Sequence, residues 1–167
     1  MRWERLFEDL EAQARDLELV ERDALVDELR DGDWAETSWR DLLGGRVVLA
    51  VRGADRVEGE VTLVNQRLVH LRGDAMDHVV SVAAVLAVHE AERRADTPTE
   101  VGGALGWGHV FRALRETGEE IRVRLLDGTV RDGSVVVAGR DFVRLRAASG
   151  RDQVLPFDAI AVVSGRT

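Results

Sequence analysis

Two kinds of hydrophobic pattern divide the chain into helical and extended segments. Over residues 2–29, apolar residues recur at alternating intervals of 4 and 3 among charged residues, which is typical of one long amphipathic helix. The apolar stripe of this helix consists of Trp3, Phe7, Leu10, Ala14 and Leu17. A helix stop follows at Asp31-Gly32-Asp33, and a shorter helical turn is predicted over residues 34–43.

After Gly45 the period of the pattern changes to two residues. Apolar positions recur every second residue near 47–51, 61–63 and 69–71, with turn residues such as Gly53 between them. This pattern predicts short strands of a half-buried sheet. A polar stretch around residue 95 then leads to a predicted helix over residues 105–117.

The strand pattern occurs twice in the chain. A shift of 74 residues places Val47 on Ile121 and Gly59 on Gly133, and one extra turn residue changes the shift to 75 further on. Two copies indicate a duplication, whereas a solenoid needs three or more repeats. Each sheet unit is preceded by a predicted helix.

Five short strands within about 45 residues, with a glycine leading the second strand, are typical of a small SH3-like barrel. The second copy resembles the Sm/LSm family in its apolar alternation, its Asp-Gly turn and its bending glycine. The residues that carry this resemblance are Ile121, Val123, Leu125, Asp127-Gly128, Gly133, Val135, Phe142 and Leu145. The resemblance covers residues 44–89 and 119–163. It implies a barrel that pairs edge to edge with its neighbours.

The RNA-reading residues of the Sm family are missing from this sequence. Aligned to the family pattern, the Asp position holds Gly139, the Asn position holds Val143, and the Arg-Gly pair becomes Leu155-Pro156. The opening residues 1–7, together with the two repeats, also resemble a family of uncharacterised bacterial proteins, some labelled Fis-like transcriptional regulators. No helix-turn-helix with a basic recognition helix accompanies that resemblance.

These patterns predict a mainly β fold with helices (α+β). We expect two Sm-like, SH3-like five-stranded barrels related by internal duplication and preceded by a long N-terminal helix. The expected segments are an acidic helical arm (1–43), a first barrel (44–90), a linker and helix (91–120) and a second barrel (121–167). Because a barrel of 45 residues is too small to fold alone, the copies are expected to share a core or an edge.

Charge and composition exclude several classes of function. The net charge is −8, and residues 1–33 hold twelve acids against five arginines, whereas residues 121–167 hold eight arginines against five acids. Acidity disfavours nonspecific binding to a phosphate backbone. The chain contains no cysteine and no lysine, which removes disulfides, thiolate metal sites, Walker A loops and Schiff-base chemistry.

Two surfaces are candidate binding sites. The apolar stripe of the N-terminal helix could dock a partner, or it could pack on its own domain as ordinary core. Arginines alternate with inward residues on two strands of the second copy and recur in the turns, as in a phosphate-binding face. This arginine face consists of Arg122, Arg124, Arg140, Arg144, Arg146 and Arg151. The other interpretation is a solvent face balanced by Asp127, Asp132, Asp141 and Asp152.

The sequence indicates no catalytic, cofactor or metal site. The four histidines, at 70, 78, 89 and 109, lack the short spacings of metal ligands. Ser164-Gly165-Arg166 is interpreted as a tail. The chain lacks an export signal at its start and has no apolar run long enough to span a membrane, so a cytoplasmic location is expected.

The predicted function is that of a non-enzymatic protein-interaction or scaffold module. Sheets with free edges favour a homo-oligomer, and a further protein partner is expected whose identity the sequence does not reveal. The alternative is an RNA- or DNA-associated regulator that uses the arginine face.

Overall fold

Alternating apolar residues form ten strands in the described part of the chain, which comprises residues 19, 22–26, 32–94 and 103–166 of a computed structural model. The strands are β1 (Arg46–Val51), β2 (Asp55–Val64), β3 (Leu68–Arg72), β4 (Met76–Ser81), β5 (Val85–His89), β6 (Glu120–Leu125), β7 (Val130–Ala138), β8 (Phe142–Arg146), β9 (Asp152–Pro156) and β10 (Ile160–Arg166). An α-helix, α1, spans Trp107–Thr117. Short 3-10 helices span Trp39–Leu42, Val82–Ala84 and Phe157–Ala159.

All ten strands belong to one antiparallel sheet with the order β5-β1-β2-β3-β4-β10-β6-β7-β8-β9. The sheet has two halves of five strands, and in each half the last strand lies beside the first. The halves join where β4 pairs with β10, from Met76 opposite Arg166 to Val80 opposite Val162. We call this pairing the β4–β10 junction.

The prediction of two five-stranded barrels is wrong. The β4–β10 junction extends hydrogen bonding from one half into the other, so the strands form a single ten-stranded sheet. The sequence pattern specifies which residues form strands and which face each side chain takes. It does not specify which strand edges pair, because that choice depends on contacts between distant segments.

The prediction of a long N-terminal helix is also not met. The helix expected over residues 2–29 lies mostly outside the described residues. Of the described residues before the 3-10 turn and β1, residues 19, 22–26 and 32–36 are helical. The chain divides into two compact units, residues 1–38 and 39–167, and the sheet belongs to the second unit.

The two halves of the sheet repeat the same local geometry. Val47 lies opposite Gly59, and Ile121 lies opposite Gly133. The pairing of the second and third strands slips between Val61 and Leu63 in one half, and between the corresponding residues Val135 and Val137 in the other. The repeat of 74 residues therefore coincides with a repeat of register and of bulges.

The apolar core consists of two clusters that exchange residues at the β4–β10 junction. Ala161 and Val162 of β10 belong to the cluster of the first half, whereas Ile160 and Val163 belong to the cluster of the second half. All four side chains are buried. Leu68 of β3 belongs in turn to the cluster of the second half, so each half contributes to the core of the other.

Helix α1 packs on the second half. Trp107 and Phe111 stack at 5.5 Å between ring centroids, and Phe111 stacks on Phe157 at 5.7 Å. The buried Asn65 holds the start of this segment, since its Nδ2 donates to the Leu105 carbonyl at 2.9 Å. Its Oδ1 accepts the backbone N–H of Leu68 at 2.8 Å, which closes the turn between β2 and β3.

We predict that Gly133→Ala lowers the free energy of unfolding by about 1–3 kcal/mol, because an added methyl forces strain on a packed strand. A Cβ at Gly133 would lie 2.5 Å from the Arg146 carbonyl oxygen, and one at Gly59 would lie 2.8 Å from that of Arg72. Urea denaturation measures the loss. Gly103→Ala is the matched control, since nothing lies within 4 Å of its added Cβ. Equal stability of the two variants would contradict the prediction.

Candidate functional site

The apolar stripe predicted as a docking site lies outside the described residues. Its five members are Trp3, Phe7, Leu10, Ala14 and Leu17. Their role remains a prediction from the sequence.

The arginine face carries two bidentate ion pairs. Arg122 donates to Asp132 through Nε at 2.9 Å and Nη2 at 3.1 Å, and Arg146 donates to Asp152 at 2.8 and 3.2 Å. The hydrogen bonds from these arginines lower the pKa of both carboxyls. The two guanidinium groups are therefore neutralised by neighbouring strands, which leaves less positive charge for a phosphate backbone.

Of the other four arginines, Arg144 lies near the second ion pair, since its charge also lowers the pKa of Asp152. Arg140 and Arg151 are exposed outside the strands, and Arg144 is exposed on β8. Arg124 is half-buried, and its Nη1 donates to the Ala54 carbonyl of the first half at 3.2 Å. The structure thus brings Arg122 and Arg146 into ion pairs and directs Arg124 toward the β4–β10 junction.

A small cleft of about 140 Å³ lies on the junction, beside β2, β4, β6 and β10. Its polar lining consists of Arg56, Glu58, His78, Arg124 and Ser164. The His78 Nδ1 and Ser164 Oγ atoms are 2.8 Å apart, so a hydrogen bond crosses the junction between residues that lie directly opposite each other. We call this feature the junction cleft.

The pKa of His78 is lowered from its ordinary value of 6.5, first by burial and second by the positive charge of Arg124. Asp77 acts in the opposite direction. A lowered pKa in the folded state means that the unfolded chain binds this proton more tightly. The contribution to stability is therefore complete above pH 6.5 and is lost as the pH falls toward the pKa of the folded state.

A serine bonded to a histidine is part of a nucleophilic triad, but this pair lacks the other requirements. Ser164 is only 6% exposed. A triad also needs a carboxylate that contacts the other ring nitrogen of the histidine and orients it as a base. Among the described residues, no carboxylate forms such a contact with His78. The pair instead links β4 to β10.

In the described part of the chain, the outer strands of the sheet are β5 and β9, each with one neighbouring strand. β5 corresponds to β10 in the other half, yet the two differ greatly in exposure. Leu86 of β5 is 62% exposed, whereas its counterpart Ala161 is fully buried beside the β4–β10 junction. Val154 of β9 is 55% exposed. Apolar side chains are therefore exposed on both outer strands.

The backbone of β9 offers hydrogen-bonding groups to a further strand. Ala147 N donates to Arg151 O, and Phe157 N donates to Asp141 O, both inward toward the preceding strand segment. Because backbone direction alternates along a strand, Val154 and Pro156 direct their backbone groups outward. Proline at an outward position is typical of an edge strand.

His70 and His109 also have polar contacts in the structure. His70 lies 3.4 Å from Asp77, and His109 Nδ1 accepts the Gly106 N–H at the start of α1. Within residues 19, 22–26, 32–94 and 103–166, no group of three metal-ligating side chains occurs. No helix in the same residues has the length and apolarity needed to cross a bilayer.

Sequence reasoning missed the junction cleft for two reasons. The histidines were assessed for short metal-ligand spacings, but His78 and Ser164 are 86 residues apart. The interpretation of Ser164-Gly165-Arg166 as a tail is wrong, because these residues form the end of β10. The one available signal was the duplication, which places residue 164 at a strand position equivalent to His89.

No protein-family model matches the chain, and no curated protein matches it either. The function is therefore inferred from the residues of the chain itself.

We predict that Arg124→Gln raises the pKa of His78 toward 6.5, because the variant removes a nearby positive charge. NMR titration of the histidine ring protons measures the change. Arg144→Gln is the control, since it removes one exposed charge elsewhere on the same half and leaves His78 unchanged. An equal effect of both variants would show that net charge, and not proximity, sets this pKa.

Proposed function

We propose that the protein is a non-enzymatic interaction module that assembles with copies of itself through the two free edges of its sheet. The observation that carries this proposal is the difference between two equivalent strands. β10 is buried by its pairing with β4, whereas β5 exposes Leu86 and Ala87 at the same strand positions. A free edge with exposed apolar residues is a template for pairing with another chain.

The β4–β10 junction supplies a model for the contact between copies. β9 corresponds to β4 and β5 corresponds to β10, so β9 of one copy can pair with β5 of the next. The register of the junction places Val80 opposite Val162 and Val79 opposite Val163. The repeat transfers these pairs to Leu155 opposite Ala87 and Val154 opposite Val88. Pro156 corresponds to Ser81, which lies outside the paired residues of the junction.

Such a contact joins two different edges and is therefore heterologous. Heterologous contacts close into a ring when the rotation between copies allows it, and otherwise form a filament. A scaffold of this kind repeats the exposed faces of the sheet around the assembly, where a protein partner can bind. The cytoplasm remains the compartment predicted from the sequence.

We predict that the full chain has a solution mass that is a multiple of 18.5 kDa, and that Val154→Pro reduces it to 18.5 kDa. Proline removes an outward N–H of β9 while the inward bonds to β8 remain, so pairing between copies is lost and the fold is kept. Light scattering coupled to size exclusion measures the mass. Circular dichroism checks the fold.

Val154→Thr is the matched control because it keeps the β-branched shape and the backbone N–H, and it should remain assembled. Leu86→Lys should dissociate the assembly from the β5 side, since a charged side chain disfavours edge pairing. A wild-type chain that stays at 18.5 kDa at high micromolar concentration would overturn the proposal.

The nucleic-acid alternative has weaker support, because ion pairs engage Arg122 and Arg146. We predict no steeply salt-dependent binding of a mixed-sequence RNA or DNA oligonucleotide, as measured by fluorescence anisotropy at low salt. The variant with alanine at residues 122, 124, 144 and 146 should behave as the wild type does. Steep binding that this variant loses would replace the interaction module with a nucleic-acid regulator.

A further inference from the structure

The guanidinium group of Arg124 lacks the partners that a half-buried charge requires. It has five N–H donors, and the structure provides one acceptor, the Ala54 carbonyl. Its Nε is buried without a hydrogen-bond partner, the one such side-chain atom in the described residues. No carboxylate of the described part lies within ion-pair distance of it. An uncompensated charge of this kind is destabilising unless an anion pairs with it.

The other polar groups of the junction cleft are suited to an anion. Arg56 adds a second guanidinium at the rim, and Ser164 contributes a hydroxyl. In the tautomer with the proton on Nδ1, His78 donates to Ser164 and leaves the serine proton for a ligand. The only carboxylate in the lining, Glu58, lies 3.8 Å from Arg46. The cleft is therefore net positive on a chain whose net charge is −8.

The repeat shows that the strand pairing within one half does not require these groups. The corresponding positions of the other half hold Ala50 for Arg124, Val130 for Arg56, Gln153 for His78 and His89 for Ser164. The register confirms the correspondence, since Arg124 lies opposite Val130 just as Ala50 lies opposite Arg56. The same strand geometry thus forms with an alanine at the position of Arg124. Strand pairing within the half therefore does not account for the positive charge of Arg124.

We propose that the junction cleft binds a small oxyanion, namely a phosphate group, between Arg124, Arg56 and Ser164. The forked geometry of a guanidinium matches phosphate oxygens, and charge-assisted hydrogen bonds to it are strong. The cleft volume of about 140 Å³ is several times the share of one water, about 30 Å³, so a tetrahedral anion fits. A bound phosphate accepts the N–H groups of Arg124 that the fold leaves without partners.

The test is a titration of the full chain with inorganic phosphate at constant ionic strength, followed by NMR of the four histidine rings. We expect saturable changes at His78, which lines the cleft, and not at the exposed His89. Arg124→Gln and Arg56→Gln should each weaken binding about tenfold, as expected for loss of a charge-assisted bond. Arg144→Gln, an equal change of charge on exposed β8, should leave the affinity unchanged.

Each outcome decides the proposal. Equal weakening by Arg144→Gln, or no saturable change at His78, would overturn it. Should Arg124→Gln fail to fold, Arg56→Gln still tests the site, because Arg56 is exposed. A second titration, with glycerol phosphate, distinguishes two sources of the phosphate group. If glycerol phosphate binds more tightly than inorganic phosphate, the ligand is a larger metabolite that carries a phosphoryl group. If it binds more weakly, the ligand is the free phosphate ion. Val154→Pro should bind phosphate as the wild type does, because the cleft lies within one chain.

Discussion

The pairing of β4 with β10 is the interaction on which the rest of the structure depends. It joins residues 76–80 to residues 162–166 and makes one sheet from two five-strand halves. Successive side chains of β10 enter opposite clusters of the core, with Val162 in the first and Val163 in the second. A half of this size buries too little apolar surface to be stable alone. The shared strand supplies additional buried surface. The junction thus connects two small cores, one in each half.

The fold could be predicted from the sequence as far as local rules extend. Period-two alternation located the strands, and the equivalent glycines at 59 and 133 marked the close approaches, since a Cβ at either would meet a backbone carbonyl. The small size of each copy predicts a shared core or edge, and the β4–β10 junction is such an edge, but which strands form it could not be predicted. Separate closed barrels and one continuous sheet satisfy the same alternation, and the choice between them depends on the burial of Ala161 and Val162 across a long sequence separation.

The sites were predictable to a smaller extent for a related reason. Alternating arginines in the sequence indicate a shared strand face, but their electrostatic effect depends on the residues opposite. Asp132 faces Arg122 across β6 and β7, and Asp152 faces Arg146 across β8 and β9. Strand register determines both ion pairs, and amino-acid composition does not reveal that register. Arg124 instead contacts the carbonyl of Ala54, a residue of the other half that lies 70 positions earlier in the chain. The three arginines therefore have different environments although their sequence context is similar.

Comparison of the two halves distinguishes residues that strand pairing requires from residues that it does not require. Positions that differ little between the halves, such as Val79 and Val154 or Gly59 and Gly133, serve strand pairing and curvature. Strand pairing does not determine the residue at positions that differ in charge, such as Ala50 and Arg124. Because the internal junction is built within every chain, polar groups placed there are always assembled. The proposed contact between copies would form only at sufficient concentration, and exposed apolar residues such as Leu86 of β5 and Val154 of β9 would favour it. The two kinds of junction are therefore expected to carry different chemistry on the same strand geometry.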